Sequence, residues 1–337
     1  MVDAAALERI RRIAAAATHS RALREAVLAE IGRVVAFAAY VWPLTDPETS
    51  VATDPLASIP PALMPDLPRL IRLKYLTPVN RWTGLSGAAH LEVPAESLVW
   101  RELLHAHAVT DVASVVFRDR YGCWAFLDLW RCGGAFTRAE LAFLDEVATV
   151  LTEHVRRCEA ATFATTATAR DPAPVVLLLD ADLRVLGQTS PTHEYLTMLL
   201  PPPADLDPVP AVAYNVAAQL VAAEAGVDEQ PPMARIHLAG GRRLTLRAAR
   251  IGPDAQIAVT VEDSSPAERT AVFARACGLA AREAELLQHL TTGADTRTVA
   301  ARMFLSENTV QDHLKSIFTK TGTRSRRVLL SRATGTA

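Results

Sequence analysis

Hydrophobic residues recur in two rhythms along the chain. At the front the spacing is helical. Leu7, Ile10, Ala14 and Ala17 share one face over Asp3–Ala17, and Leu23, Val27, Leu28, Ile31 and Val34 share another over Arg21–Val35. Phe37–Leu44 is then aromatic and β-rich and closes on Pro43, Asp46 and Pro47, which predicts a strand entering a turn. Val51–Thr53 is a candidate hairpin partner. Five prolines between Pro55 and Pro68 predict irregular chain, followed by helices over Leu67–Tyr75 and Leu98–Ala108. Asp111–Arg118 and Cys123–Trp130 read as strands joined at Asp119-Arg120-Tyr121-Gly122. Thr137 with Glu140 forms a capping box that opens a helix to about Ala160.

A stretch rich in Thr and Ala, Ala161–Ala173, reads as a linker. Strands over Val175–Asp180 and Arg184–Gln188 flank a turn at Asp180–Asp182, and helices over Thr192–Leu200 and Ala211–Ala225 flank three prolines. Ala234–Ala239 and Arg242–Arg250 form a hairpin about Gly240-Gly241, and Gln256–Glu262 is a last strand. Pro266–Cys277 reads as a connecting helix.

The helical rhythm returns from Gly278 onward. Leu279, Leu286, Leu287 and Leu290 form a stripe that Gly293 terminates. A short helix through Val299 and Ala300 follows, then a turn at Phe304-Leu305-Ser306. A third helix begins at Ser306, a good N-cap, and buries Val310, Leu314, Ile317 and Phe318. Gly322 ends it, and a fourth helix carries Val328, Leu329 and Leu330. Two short helices around a tight turn, the second with a polar face, make a helix-turn-helix. Asn308, Thr309, Gln311, Asp312, Lys315, Ser316 and Thr319 are the groups that a major-groove helix needs. His313 can either donate to a phosphate or pack on the second helix.

Charge agrees with this. Gly278–Ala337 holds nine Lys and Arg against five acids, +4, on a chain whose net charge is −2. A basic segment on an acidic chain fits a polyanionic partner.

The segment resembles the DNA-binding domain of the LuxR family of bacterial transcription regulators. The matching residues are Arg282-Glu283, Gly293, Val299-Ala300, Leu305-Ser306-Glu307, Thr309-Val310, His313-Leu314, Lys320, Gly322 and Arg324-Ser325-Arg326. Ala280 and Ala281 depart from the family's usual Thr and Pro, and Gln311-Asp312 departs from a commoner basic–polar pair. The resemblance implies double-stranded DNA as partner. Together with helix geometry it places Gln311, Asp312 and Lys315 on the groove face, and Arg297, Thr309, Lys320, Arg324 and Arg326 nearer the backbone.

The element order in front resembles a GAF domain over residues 1–160. Strands, helices and three more strands over 174–263 resemble a PAS domain. The expected fold class is therefore multidomain α+β: a GAF-like sensor or dimerisation domain, a linker at 161–173, a PAS-like domain, a connecting helix at 264–277, and an all-α helix-turn-helix at 278–337. A cleft beside the first sheet would hold a small molecule. Tyr40, Trp42, Trp82, Trp100, Phe117, Trp124 and Trp130 are candidates to line it, though for any one of them ordinary core is the favoured reading. The alternative is a front half that only dimerises and docks proteins. Leu141, Leu144, Ala148, Leu151, Val155 and Cys158 alternate spacings of three and four, which predicts a homodimer seam on the long helix, or a stripe that covers the sheet.

Half the residues are hydrophobic and a fifth charged, which places the chain among globular proteins. The longest aliphatic run, Val175–Leu179, cannot span a bilayer. The first residues carry no secretory pattern, and four scattered cysteines fit a reducing compartment, so a cytoplasmic protein is expected. Nucleotide-binding, dinucleotide-binding and nucleophile-elbow motifs are absent; neither enzyme activity nor a cofactor is expected. Asp180 and Asp182 could share a cation or simply make a turn. His105 and His107, two apart, fall on different faces of a helix and make poor co-ligands.

Overall fold

The computed structural model describes residues 3–165, 175–199, 208–238, 241–252 and 256–335. By its contacts the chain divides into two compact units: Met1–Val155, Ala173–Ile236 and Thr245–Glu262 form one, and Arg156–Pro172, His237–Leu244 and Asp263–Ala337 the other.

The first unit opens with two packed helices, α1 (Ala4–Ala16) and α2 (Ser20–Ile31). Asp3 caps α1 by accepting the Ala6 N–H at 2.9 Å. Next come β1 (Ala39–Thr45), β2 (Ala52–Ser58), α3 (Leu67–Leu76), β3 (Ala89–His90), α4 (Leu98–Glu102), β4 (Asp111–Asp119), β5 (Gly122–Arg131) and α5 (Arg138–Ala161). The strands form one sheet, ordered β2-β1-β5-β4-β3. Its pairs are antiparallel, with Val41 opposite Asp128 and Val112 opposite Trp130.

Three expectations are corrected here. The proline-rich stretch is not irregular throughout. β2 runs through Pro55 to Ser58, because it is an edge strand, where a missing N–H need not break a ladder. The helix expected over Leu98–Ala108 breaks at Leu103 (φ −141°) and continues as a 3-10 turn that closes on a left-handed Ala108. The α5 stripe is not a free seam. Leu144 and Leu151 are 1% and 0% exposed in a single chain, so they have no apolar area left to bury against a second copy.

The second sheet contains β6 (Val175–Leu179), β7 (Val185–Gln188), β8 (Met233–His237), β9 (Arg243–Ile251) and β10 (Gln256–Asp263), in the order β7-β6-β10-β9-β8. Counted within each sheet, this is the same order as the first. Asp180 makes the turn between β6 and β7: its carboxylate accepts the N–H groups of Asp182 and Arg184 at 2.9 and 2.8 Å. Among the described residues no group of three potential metal ligands converges.

Two helices lie between β7 and β8, α6 (Thr192–Leu199) and α7 (Ala211–Glu224). α7 is apolar almost all round, and ten of its fourteen residues are buried, so it is a core helix. It packs on α3 and β2 of the first sheet. Two ion pairs clasp the same halves. Asp46, 0% exposed, accepts three hydrogen bonds of 2.7–2.8 Å from the backbone and guanidinium of Arg235. Burial pushes the Asp46 carboxyl up, but the bonds and charge of Arg235 outweigh it and hold the group below its ordinary value. Arg81 meets Asp228 at 2.7 Å and also donates to Gln219 of α7.

In the other unit, the end of α5 runs into a 3-10 turn at Thr162–Ala164, so the expected linker is structured at its start; residues 166–173 lie outside the described residues. Phe163 meets Phe273 of α8 (Pro266–Ala276) edge-on, with ring centroids 5.2 Å apart. The Arg243 guanidinium lies 3.8 Å from the Phe163 ring and pairs with Glu159 at 2.7 Å. Arg269 of α8 donates to the carbonyls of Gly241 and Arg332. Burial, then the nearby Arg243 charge, lowers its pKa to about 10. No helix among the described residues is long and apolar enough to cross a membrane.

Candidate nucleic-acid interface and ligand cavity

Four helices end the chain: α9 (Ala281–Thr291), α10 (Thr296–Met303), α11 (Glu307–Thr321) and α12 (Arg326–Thr334). Leu286, Leu287, Leu290, Val299, Val310 and Ile317 are all at most 1% exposed and supply their core. The turn before α11 is tight because Phe304 adopts a left-handed conformation (φ 55°) and the Leu305 N–H returns to the Ala300 carbonyl at 2.9 Å. Ser306 caps α11, accepting the Thr309 N–H at 3.1 Å. Gly322 closes it at φ 61° with its N–H on the Phe318 carbonyl. These terminators set the ends of α11, and its buried Val310, Leu314 and Ile317 fix which face points outward.

That outward face carries Asn308, Gln311, Asp312, Lys315 and Thr319, all exposed. Lys315 and Asp312 pair at 2.9 Å, one turn apart and both about three-quarters exposed, a contact worth little to stability. Gln311 reaches Thr296 at 3.4 Å. Arg297 and Arg324 are exposed; His313 and Thr309 are half-buried. Arg326 donates to the Ala294 carbonyl and so ties α12 to the turn before α10.

Lys320 sits differently. Its ammonium bonds Glu283 of α9 at 2.6 Å, and Ser316 donates to the same carboxylate at 2.6 Å. Glu283 is 5% exposed and also accepts the Ala280 N–H, which supplies half of a capping box at an N-cap with no side-chain oxygen. Burial pushes this carboxyl up, but Lys320, Ser316 and the Ala280 N–H together hold it below its ordinary value. Lys320 and Ser316 thus bind α11 to α9. No spacing in the sequence pairs Glu283 with Lys320, which lie 37 positions apart on different helices.

A cavity of about 390 Å³ opens on one face of the first sheet. Strand alternation decides who lines it. Val41 and Pro43 of β1, Val112 and Ser114 of β4, and Phe126, Asp128 and Trp130 of β5 face it. α3 contributes Leu70, Lys74 and Tyr75, and α7 contributes Ala211 and Asn215. On its wall Lys74 pairs with Asp128 at 2.7 Å, and Ser114 donates to Asp128 at 2.7 Å.

Of the seven aromatics expected there, Trp130 lines the cavity; the others do not. Trp42 and Phe117 stack on each other with centroids 5.1 Å apart, both fully buried, at positions of opposite parity in β1 and β4. Tyr40 shares the Trp42 parity and meets Phe37 edge-on. Trp82 stacks behind Phe126, and its indole N–H goes to the Ser50 carbonyl. Trp124 donates to Asp119, and Trp100 to the Val109 carbonyl. Tyr75 and Phe126 are the lining aromatics that sequence reasoning missed.

Residues 278–333 match the family model of bacterial regulatory proteins, luxR family. The carboxyl-terminal segment is a LuxR-type helix-turn-helix. No curated protein matches the chain. Among solved structures, SdiA of Escherichia coli is similar at 13% identity and a TM-score of 0.34, over 98% of this chain and 96% of that one. SdiA in complex with octanoyl-rac-glycerol is similar at 12% identity and a TM-score of 0.32, over 98% and 94%. The ligand–DNA complex of Vibrio cholera VqmA is similar at 19% identity and a TM-score of 0.21, over 48% of this chain and 81% of that one. Likeness at this level assigns no ligand and no operator to the present chain. Within the LuxR-type segment the matched residues run from two positions before the N-cap of α9 to the last turn of α12, so they include both the α11 face and the Glu283–Lys320 tie.

Proposed function

We propose that this protein is a cytoplasmic DNA-binding transcription regulator, whose front half senses a small molecule and controls the LuxR-type segment. The observation that carries the DNA reading is the open polar face of α11 within a matched helix-turn-helix of local charge +4. Gln311, Asp312 and Lys315 read base edges, with Asn308 and His313 beside them. Arg297, Thr309, Arg324 and Arg326 lie nearer the phosphates. Lys320 contributes by holding α11 in place.

The sensing reading rests on the cavity. A first sheet with one hollow face and the order β2-β1-β5-β4-β3 supports a GAF-like domain over residues 1–160, and the repeated order supports a PAS-like domain over 174–263. A ligand acts through a difference in affinity between two states. A homodimer belongs to this reading, because paired half-sites need two helix-turn-helix copies. Its contact lies elsewhere than the α5 stripe.

A binding titration against specific and random duplexes at several salt concentrations tests the DNA assignment. Lys315→Ala should cost about 1–3 kcal/mol on the specific duplex and much less on the random one. Arg324→Ala should weaken both alike and flatten the salt dependence by about one unit. Equal losses on both duplexes for Lys315→Ala would remove α11 from the groove.

A further inference from the structure

Asp312 stands where a DNA-binding helix should least tolerate it. It lies in the middle of α11, about three-quarters exposed, on the face that carries Asn308, Gln311, Lys315 and Thr319. Duplex DNA carries one negative charge for about every 1.7 Å of its axis, so a carboxylate in the groove is repelled by both phosphate strands. The fold gains little from the residue. Aspartate is a poor former of helix interiors, and its bond to the Lys315 ammonium at 2.9 Å is an exposed contact one turn apart.

The pair matches DNA better than either member alone. It presents an acceptor and a donor 2.9 Å apart, both exposed. In the major groove each base pair offers a donor and an acceptor that are bonded to each other, and so stand about 2.9–3.0 Å apart: cytosine N4 with guanine O6, or adenine N6 with thymine O4. The carboxylate can accept from the amino group while the ammonium donates to the oxygen, and their own bond need not break. The flanking atoms choose between the base pairs. Beside adenine N6 lies N7, whose lone pair faces the carboxylate, and beside thymine O4 lies a methyl group, which gives the ammonium nothing. Cytosine N4 has no acceptor on that side, and guanine O6 has N7, a second acceptor for an ammonium with three donors.

We propose that the Asp312–Lys315 pair reads one G·C base pair as a unit in each half-site, with Asp312 on cytosine N4 and Lys315 on guanine O6 and N7. The proposal rests on the DNA reading above and adds the base pair and its orientation. It also gives Asp312 a second effect. The pair enters the groove with no net charge, so this part of α11 adds selectivity and leaves general affinity to exposed cations such as Arg297 and Arg324.

The test is selection of bound duplexes from a random-sequence pool by the full chain and by Asp312→Asn, followed by titration of the enriched duplex. The parent should enrich sites with one G·C pair of fixed orientation, and replacing that pair by A·T should weaken binding at least about fivefold. Asp312→Asn should move the preference at that position from cytosine to adenine, because a carboxamide accepts from N6 and donates to N7. It should also bind random duplex more tightly than the parent, since Lys315 is freed for phosphate. Placing 7-deazaguanine at the selected position should weaken the parent and leave Lys315→Ala nearly unchanged. A parent pool with no fixed G·C pair, or one whose composition Asp312→Asn leaves unaltered, overturns the proposal and leaves the DNA reading standing. No duplex bound at any sequence overturns both.

Discussion

The first and second sheets carry the same strand order, yet they bury their surfaces in different ways. The first faces a cavity of about 390 Å³. The second keeps Leu177, Leu179, Ile257 and Val259 fully buried on one side and leaves Val185 and Leu186 of its edge strand 42% and 52% exposed. The difference is not in the strands. It lies in α7, which follows the second sheet's first hairpin in sequence and packs on α3 and β2. Topology alone therefore does not say where a pocket forms. The helix that covers a face decides it, and a neighbouring segment can lend that helix.

Several experiments break or sharpen this contrast. The largest effect should come from Asp46→Ala. It removes the buried carboxylate and leaves Arg235 only the half-exposed Glu48 at 2.8 Å, which should cost about 3 kcal/mol. Chemical denaturation should show the loss, and a change below about 1 kcal/mol would mean the clasp does not hold the two sheets together. Acid should act through the same pair. The Asp46 carboxyl is held low when folded, so its stabilisation is complete above the unfolded value of about 3.9 and is lost as pH falls through the folded value. Melting temperature should drop steeply below about pH 4, and less steeply in Asp46→Asn.

Paired truncations come next. Leu177→Ala in the second sheet, where Leu177 is 0% exposed, should cost about 2.5–4 kcal/mol, whereas Leu70→Ala beside the cavity of the first should cost about 1–2 kcal/mol, since part of its surface already faces space. Equal costs would mean the first sheet is packed as tightly as the second. The smallest effect belongs to Leu186→Glu on the edge strand, within about 0.5 kcal/mol. A larger loss, with a change of mass by light scattering, would show that a second copy covers that edge.

What was legible in the sequence was local. The helix-turn-helix, its caps at Ser306 and Gly322, and the β4–β5 hairpin all depend on residues within a few positions of one another, and each was found. Both sheets were found in outline for the same reason. β3 was missed because two residues, Ala89 and His90, carry no rhythm and exist as a strand only through β4. Trp42 and Phe117 were offered as cavity residues because aromatic content says nothing of strand parity, and one register step sends a side chain to the other face. Asp46 and Arg235 stand 189 positions apart, and Glu283 and Lys320 stand 37 apart on different helices. No short-range pattern announces such pairs.

The two units have a consequence for how the chain can be cut. The polypeptide passes from one to the other five times, at residues 155/156, 172/173, 236/237, 244/245 and 262/263. No single scissile point frees either. A fragment beginning at Pro266 keeps α8 but loses Phe163, Glu159 and Arg243, so the ring of Phe273 is stripped of its edge-on neighbour and Arg269 of its bond to Gly241. One beginning at Gly278 drops α8 as well, and with it the helix on which α9 and α12 pack and the Arg269 and Thr270 bonds to the end of α12. A protease scanning the native protein should meet the same arithmetic: cleavage at any one of these five junctions leaves the residues of at least one unit divided between two fragments.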